Sequence, residues 1–145
     1  MQDVYLGTPI AATRIMDGQS SGALRVLLVD DSEDIQRALT ACLRGEGFEV
    51  ASASTAGEAL GILRAQDVDV LVTDIGLPDL SGADLIREAR RTLRRPLRII
   101  VMTGYGEPHQ QEARMAGADI VLTKPVAVNT LTGHLRGARR GSSAA

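Results

Sequence analysis

Five short runs of branched apolar residues alternate strictly with segments whose apolar residues recur every three or four positions. No other feature limits the possible folds so tightly. The runs are Arg25–Val29, Phe48–Ala53, Val68–Thr73, Leu97–Met102 and Ile120–Leu122. Near-continuous apolar runs of this length suit strands buried on both faces. After the first, Ile35, Ala38, Leu39, Cys42 and Leu43 follow the spacing of a helix with one buried face, and Gly45 and Gly47 end it. Cys42 lies on that stripe and is expected to be inert core. Thr55-Ala56-Gly57-Glu58 reads as a capping box, opening a helix that buries Leu60 and Leu63. Residues 82–93 stack Leu85, Ala89 and Leu93 at helical spacing, and Pro108 suits the first turn of a helix that Gly117 stops. Val128–Leu135 supplies the last helix. Five strand–helix units in alternation predict an α/β protein: a parallel sheet with helices on both faces. Ligands of such sheets sit beyond the carboxyl ends of the strands.

What stands at those ends is therefore the functional question. The first strand ends in Asp30-Asp31, the third in Asp74, the fourth in Thr103 and the fifth in Lys124-Pro125. Singly, each has an ordinary explanation. Asp30, Asp31 or Ser32 can cap a helix, Asp74 can sit in a turn, Thr103 can close a hydroxyl turn, and Lys124 can be a solvated charge. Together they gather three carboxylates on one sheet edge, which is costly without a compensating cation. Of 16 basic residues only Lys124 is lysine, which hints that its compact ammonium is needed there. A hard cation such as Mg²⁺ also favours carboxylate and phosphate oxygens. With Mg²⁺ at Asp30, Asp31 and Asp74, one Asp74 oxygen stays free to attack phosphorus as a carboxylate nucleophile. Thr103 and Lys124 can each bond a phosphoryl oxygen.

The set Val29-Asp30-Asp31, Asp74-Ile75-Gly76-Leu77-Pro78, Thr103-Gly104 and Leu122-Thr123-Lys124-Pro125 resembles the receiver domains of two-component response regulators. The resemblance covers about residues 24–138. It implies a flavodoxin-like doubly wound sheet in strand order 2-1-3-4-5. It also implies that Asp30 and Asp31 are the metal-binding acidic pair, Asp74 the phosphoacceptor, Thr103 the switch hydroxyl and Lys124 the phosphate-contacting lysine. Gly76 matches the position whose backbone carbonyl joins the metal, and a cis bond precedes the proline matching Pro125. The implied partner is a histidine kinase or histidine phosphotransfer protein. The implied output is a change in the surface of the fourth helix, fifth strand and fifth helix. Such a domain is not an enzyme beyond promoting its own phosphotransfer and dephosphorylation.

The sequence departs from the pattern at Val121, where many receivers carry an inward-turning aromatic. Valine is stiff and small, so the signal is expected to travel mainly through the Thr103–Gly106 loop and the start of the fourth helix. Tyr105 is read as an ordinary loop aromatic, and Gly76 as leaving the phosphate open to water. Arg87, Arg90, Arg91, Arg94, Arg95 and Arg98 are expected to form a solvated face rather than a nucleic-acid contact, since Asp84 and Glu88 offer helix-spaced partners. His109 and His134 do not suggest a zinc site or a phosphohistidine relay.

A flavin-binding module would need a hydroxyl- and glycine-rich loop after the first strand, where this chain is acidic. A haloacid-dehalogenase-like phosphatase would show Asp-x-Asp rather than adjacent aspartates. A degenerate receiver would lack part of the phosphorylation set, which is complete here.

The remaining constraints are compositional. A chain of 145 residues, 44% hydrophobic, is large and apolar enough for one folded domain. Residues 1–23 read as an extension or linker, 24–138 as the domain and 139–145 as a flexible tail. One cysteine cannot pair internally, no apolar stretch reaches about 18 residues, and no secretory signal begins the chain, so a cytoplasmic location is expected. A net charge of −2 gives no general attraction to nucleic acid. No output domain is expected after residue 138. Val4-Tyr5-Leu6 and the Thr103-Gly104-Tyr105-Gly106 run resemble hybrid histidine kinases, so a stand-alone regulator and a piece of such a kinase both remain open.

Overall fold

A computed structural model describes residues 22–138; nearly all of the stretch 1–23 expected to be an extension or linker, and the expected tail 139–145, lie outside the described residues. The elements in chain order are β1 (Arg25–Val29), α1 (Glu33–Gly45), β2 (Glu49–Ala53), α2 (Ala56–Ala65), β3 (Val70–Thr73), α3 (Gly82–Thr92), β4 (Arg98–Thr103), α4 (Glu107–Ala116), β5 (Ile120–Thr123) and α5 (Val128–Gly137). All strand pairs are parallel, and the sheet order is β2-β1-β3-β4-β5, as the alternation and the resemblance imply. The first four helices start or stop where local chemistry directs. Ser32, Thr55 and Ser81 cap α1, α2 and α3 through their hydroxyls, Pro108 lies in the first turn of α4, and Gly117 ends it at φ 123°. In α2 the capping box is displaced by one residue, because Glu58 accepts from the N–H of Ser54 rather than Thr55.

Strand side chains alternate between faces, so the sheet has two cores. Leu27, Val29, Leu71, Ile99 and Val101 pack with α2, α3 and α4 through Leu63, Leu85, Ile86, Ala89 and Ala113. Val26, Leu28, Val72, Ile100 and Met102 pack with α1 and α5 through Leu43, Leu131 and Leu135. The cover over α1 is incomplete. Of its apolar stripe only Leu43 is buried, while Ala38 and Cys42 are exposed. Cys42 is therefore not core. Leu43 and Leu39 take the face toward the sheet, and the i+3 positions fall on the rim.

The arginine cluster is also more than a solvated face. Arg95 donates to the carbonyls of Leu63, Gln66 and Val68, closing the end of α2 and the following turn. Arg90 donates to Gly117 and Leu97 carbonyls and pairs with Asp119 at 3.0 Å. Arg87 and Arg91 do pair with Asp84 and Glu88 at helical spacing.

A second carboxylate serves α2 from a distance. Asp79, in the loop between β3 and α3, accepts from the N–H groups of Ala56 and Gly57, both at 2.9 Å. Those bonds hold its carboxyl below the ordinary value. A lowered carboxyl pKa stabilises the fold above the unfolded value and loses that effect as pH falls. Asp79→Ala is therefore expected to lower the thermal midpoint at neutral pH. The gap from the parent protein closes below about pH 3.8, checked by circular-dichroism melts across pH. A gap that persists in acid would assign the loss to packing instead. Among the described residues no helix is long and apolar enough to cross a membrane.

Candidate functional site

The parallel register brings the charged strand ends together. Val29 of β1 aligns with Thr73 of β3, so the residues that follow, Asp30 and Asp74, emerge side by side where the strand order reverses. The backbone fixes both: Asp30 N–H donates to Ala53 and Asp74 N–H to Val29, each at 3.1 Å. On the other side, Thr103 aligns with Thr123, and Lys124 N–H donates to the Thr103 carbonyl at 2.8 Å. The Lys124–Pro125 bond is cis, as the resemblance implies.

Lys124 Nζ lies 3.0 Å from Asp30 Oδ2 and 2.9 Å from Asp74 Oδ2. Asp30 is buried, and both partners of the Lys124–Asp74 pair are largely covered. Burial pulls the ammonium's pKa down. The hydrogen bonds and charges of Asp74 and Asp30 outweigh it, so the net shift is upward. The Oδ1 atoms of both aspartates are held by backbone N–H groups. Ile75 donates to Asp74 at 2.6 Å and Ser32 to Asp30 at 2.9 Å.

Asp31 is exposed, and Ser32 takes the helix cap, leaving the Asp31 carboxylate with no bonded partner among the described residues. Oxygens of Asp30, Asp31 and Asp74 all lie within 4.8 Å of one another. Three carboxylates facing one ammonium leave net negative charge, and a donor set made only of oxygens fits a hard cation.

Thr103 is fully buried, and its Oγ1 accepts from the N–H of Tyr105 at 3.0 Å. Its hydroxyl thus closes a turn in its own loop and makes no bond to Asp74 or Lys124 among the described residues. Val121 is half-buried in β5 and packs against the α2–α3–α4 core. Gly76 is not left open as expected. A Cβ built there would stand 3.3 Å from both Cε2 and the hydroxyl of Tyr105, so the tyrosine ring fills the space the glycine vacates.

Three residues that matter here are not evident from the sequence. Gln36 of α1 donates to the Asp30 carbonyl, the Ala53 carbonyl at 3.0 Å and Ser54 Oγ at 2.9 Å, tying the β1 and β2 ends together. Nothing in its sequence position announces this. Gly82 lies directly against the Asp74 backbone, where a Cβ would fall 2.2 Å from the Asp74 carbonyl oxygen. Glycine in the first turn of a well-capped helix is a usable signal for such close approach. Tyr105 is the third.

Fold and site together define a flavodoxin-like α/β domain with an acidic crevice at its switch point. The profile described as the response regulator receiver domain matches residues 26–136, so the chain belongs to the response regulator receiver family, a signalling family. It is 37% identical over 120 residues to the transcriptional regulatory protein KdpE of Mycobacterium tuberculosis, covering 83% of this chain and 53% of that protein. It is 36% identical over 120 residues to KdpE of Escherichia coli, covering 82% and 52%. The chain thus spans about half the length of these curated relatives. Among solved structures, a CheY-like receiver domain from Methanospirillum hungatei superposes with a TM-score of 0.78 at 32% identity, covering 84% of this chain and 98% of that one. A Burkholderia pseudomallei response regulator, described with a phosphorylated aspartic acid, calcium ion and citrate, superposes at 0.70 and 28% identity, covering 83% and 69%.

Proposed function

We propose that residues 24–138 form a phosphoacceptor receiver domain that takes a phosphoryl group onto Asp74 from a phosphohistidine of a histidine kinase or phosphotransfer protein. The observation that carries this reading is the cluster of Asp30, Asp31 and Asp74 oxygens within 4.8 Å, bridged by the chain's single lysine. Asp30, Asp31, Asp74 and the Gly76 carbonyl would hold Mg²⁺, which when bound neutralises charge on the phosphoryl oxygens. A carboxylate oxygen of Asp74 forms the new bond to phosphorus while the phosphorus–nitrogen bond to the donor imidazole breaks, leaving the electron pair on nitrogen. Backbone N–H groups orient Asp74 beforehand. Lys124, already 2.9 Å from that carboxylate, exchanges it for a phosphoryl oxygen.

The donor must approach over the rim that carries Lys124. There Ile35, Leu39, Met102, Pro125 and Val126 line an apolar groove of about 480 Å³, a surface that a donor helix can bury. The burial of Thr103 in its own turn supports a switch in which its hydroxyl leaves Tyr105 for the phosphoryl group. That motion biases the α4–β5–α5 surface toward a protein partner. The M. tuberculosis and E. coli relatives, of which this chain covers about half, are named as transcriptional regulators.

Incubation with a small-molecule phosphodonor and Mg²⁺ is expected to add one phosphoryl group by intact mass, with none added when the metal is chelated. Metal-independent labelling would overturn the reading. Asp31→Ala is the cleanest probe of the metal, because Asp31 supports nothing else. Calorimetric titration should show Mg²⁺ affinity falling about tenfold or more, and an unchanged affinity would remove Asp31 from the site.

A further inference from the structure

Arginine outnumbers its partners on one face of the molecule. α2 and α3 lie side by side on the sheet, and their outer surfaces meet at Glu88. Arg91, one turn further along α3, donates to Glu88 Oε2 at 2.5 Å. Arg64, in the last turn of α2, reaches the same oxygen from the neighbouring helix at 3.7 Å. Arg94, exposed in the turn after α3, has no partner among the described residues. Three guanidinium groups therefore stand against one carboxylate. The arginines around them are matched. Arg87 pairs with Asp84 and Glu112, and Arg90 with Asp119. Arg95 spends its donors on the Leu63, Gln66 and Val68 carbonyls, with Asp67 beside it.

We propose that Arg64, Arg91 and Arg94 form a docking surface for an acidic segment of another protein, with Glu88 as the internal carboxylate that competes for the same donors. Charge complementarity names the partner. A guanidinium offers five donors in a planar fork that matches a carboxylate bidentately. Here two forks find a single oxygen, and most of their donors face water: the Arg64 and Arg91 side chains are 54% and 69% exposed. A nucleic acid fits less well. The described aromatics lie elsewhere, Phe48 under Arg136 and Tyr105 beside Gly76, so no base can stack on this face. Acidic Asp84 and Glu112 also flank it and would repel a phosphate backbone.

The surface is remote from the acidic crevice. Gly82, at the start of α3, abuts Asp74, and the helix rise from there to Arg91 is about 14 Å. A partner seated on the arginines thus leaves Asp74 and the groove beside Lys124 open. It can hold the domain while a second protein works at the crevice.

The test uses the full chain and an end-blocked hexaglutamate peptide, followed by amide spectra at about 0.01 M and about 0.1 M salt, where screening lengths are about 30 and 10 Å. The peptide should bind at the lower salt and more weakly at the higher, with shifts gathered on residues 61–66 and 87–95. Arg64→Gln and Arg91→Gln should each weaken binding about threefold to fivefold, the worth of an exposed ion pair. Glu88→Gln should tighten it by a similar factor, a gain that no folding defect produces. Glu46→Gln changes the net charge equally but frees only Arg136, so affinity read at residues 61–66 and 87–95 should stay at the parent's value. Absence of binding at the lower salt, or equal tightening in both glutamine variants, would overturn the proposal. Tighter binding of a short thymidine oligonucleotide at the same residues would overturn it in favour of a nucleic acid. Concentration-dependent shifts there without peptide would do so in favour of a second copy of this chain.

Discussion

Asp74→Asn is expected to abolish phosphoryl uptake while leaving the fold in place. The amide keeps a carbonyl oxygen in the position of Oδ1, so it can still accept from Ile75 N–H at the 2.6 Å seen for the carboxylate. Lys124 keeps Asp30 at 3.0 Å and so is not stranded. What is lost is the anionic oxygen proposed to bond to phosphorus, and Asp30 is not free to replace it. Asp30 is buried, with one oxygen on Ser32 N–H and the other on Lys124. Intact mass after incubation with phosphodonor and Mg²⁺ should show no added phosphoryl group, and a circular-dichroism melt should stay within a few degrees of the parent. Labelling at full stoichiometry in this variant would move the acceptor to another residue.

The largest effect on stability is expected at Gly82, a position with no chemical group to offer. Alanine would favour the helix by about 1 kcal/mol on intrinsic grounds. Here its Cβ would fall 2.2 Å from the Asp74 carbonyl oxygen and 2.9 Å from Ile75 Cα. Both are backbone atoms, so no side chain can swing away, and the N-terminus of α3 must retreat from β3. The Gly82 N–H bond to the Ile75 carbonyl, 2.7 Å long, is lost with that retreat. Gly82→Ala should cost about 3 kcal/mol, the upper part of the usual overpacking range. That corresponds to a fall of roughly 10 °C in thermal midpoint. Phosphoryl uptake should also fall at temperatures where the variant is fully folded, because Asp74 loses the wall behind it. A melt unchanged within about 2 °C would show that the helix start adapts cheaply.

The contrast between Asp74 and Gly82 marks what the sequence makes legible. The strands are readable because both faces are buried, which leaves long apolar runs such as Arg25–Val29 and Arg98–Thr103. Their order is not read from the runs themselves; it comes from the resemblance to receiver domains, and the sheet has that order. Asp30, Asp31, Asp74, Thr103 and Lys124 are visible for the same reason: each interrupts an apolar run with a polar group whose placement the topology then explains. Residues whose role depends on approach between distant segments are not visible. Gln36 reaches Ser54 across 18 positions, and Arg95 reaches Leu63 across 32. Their side chains would look equally natural in water. Cys42 shows the converse limit, since helical periodicity tells which face is apolar but not whether anything covers it. Tyr105 combines both difficulties. Only the vacant Cα of Gly76, 29 positions earlier, gives its ring a place to rest.

The solitary lysine has a consequence for chemistry aimed at side-chain amines. Arginine carries every other basic charge in this chain, so acylating reagents find one ε-amine, and that amine sits between Asp30 and Asp74. Acetylation elsewhere on a protein surface alters charge by small steps. Here a single acetyl group would strip the crevice of its counter-charge and turn two paired carboxylates into repelling neighbours. The ion pairs that raise the ammonium's pKa also keep it protonated and slow to acylate. The rate of ε-amine labelling is therefore a one-residue gauge of whether Lys124 is engaged with its aspartates.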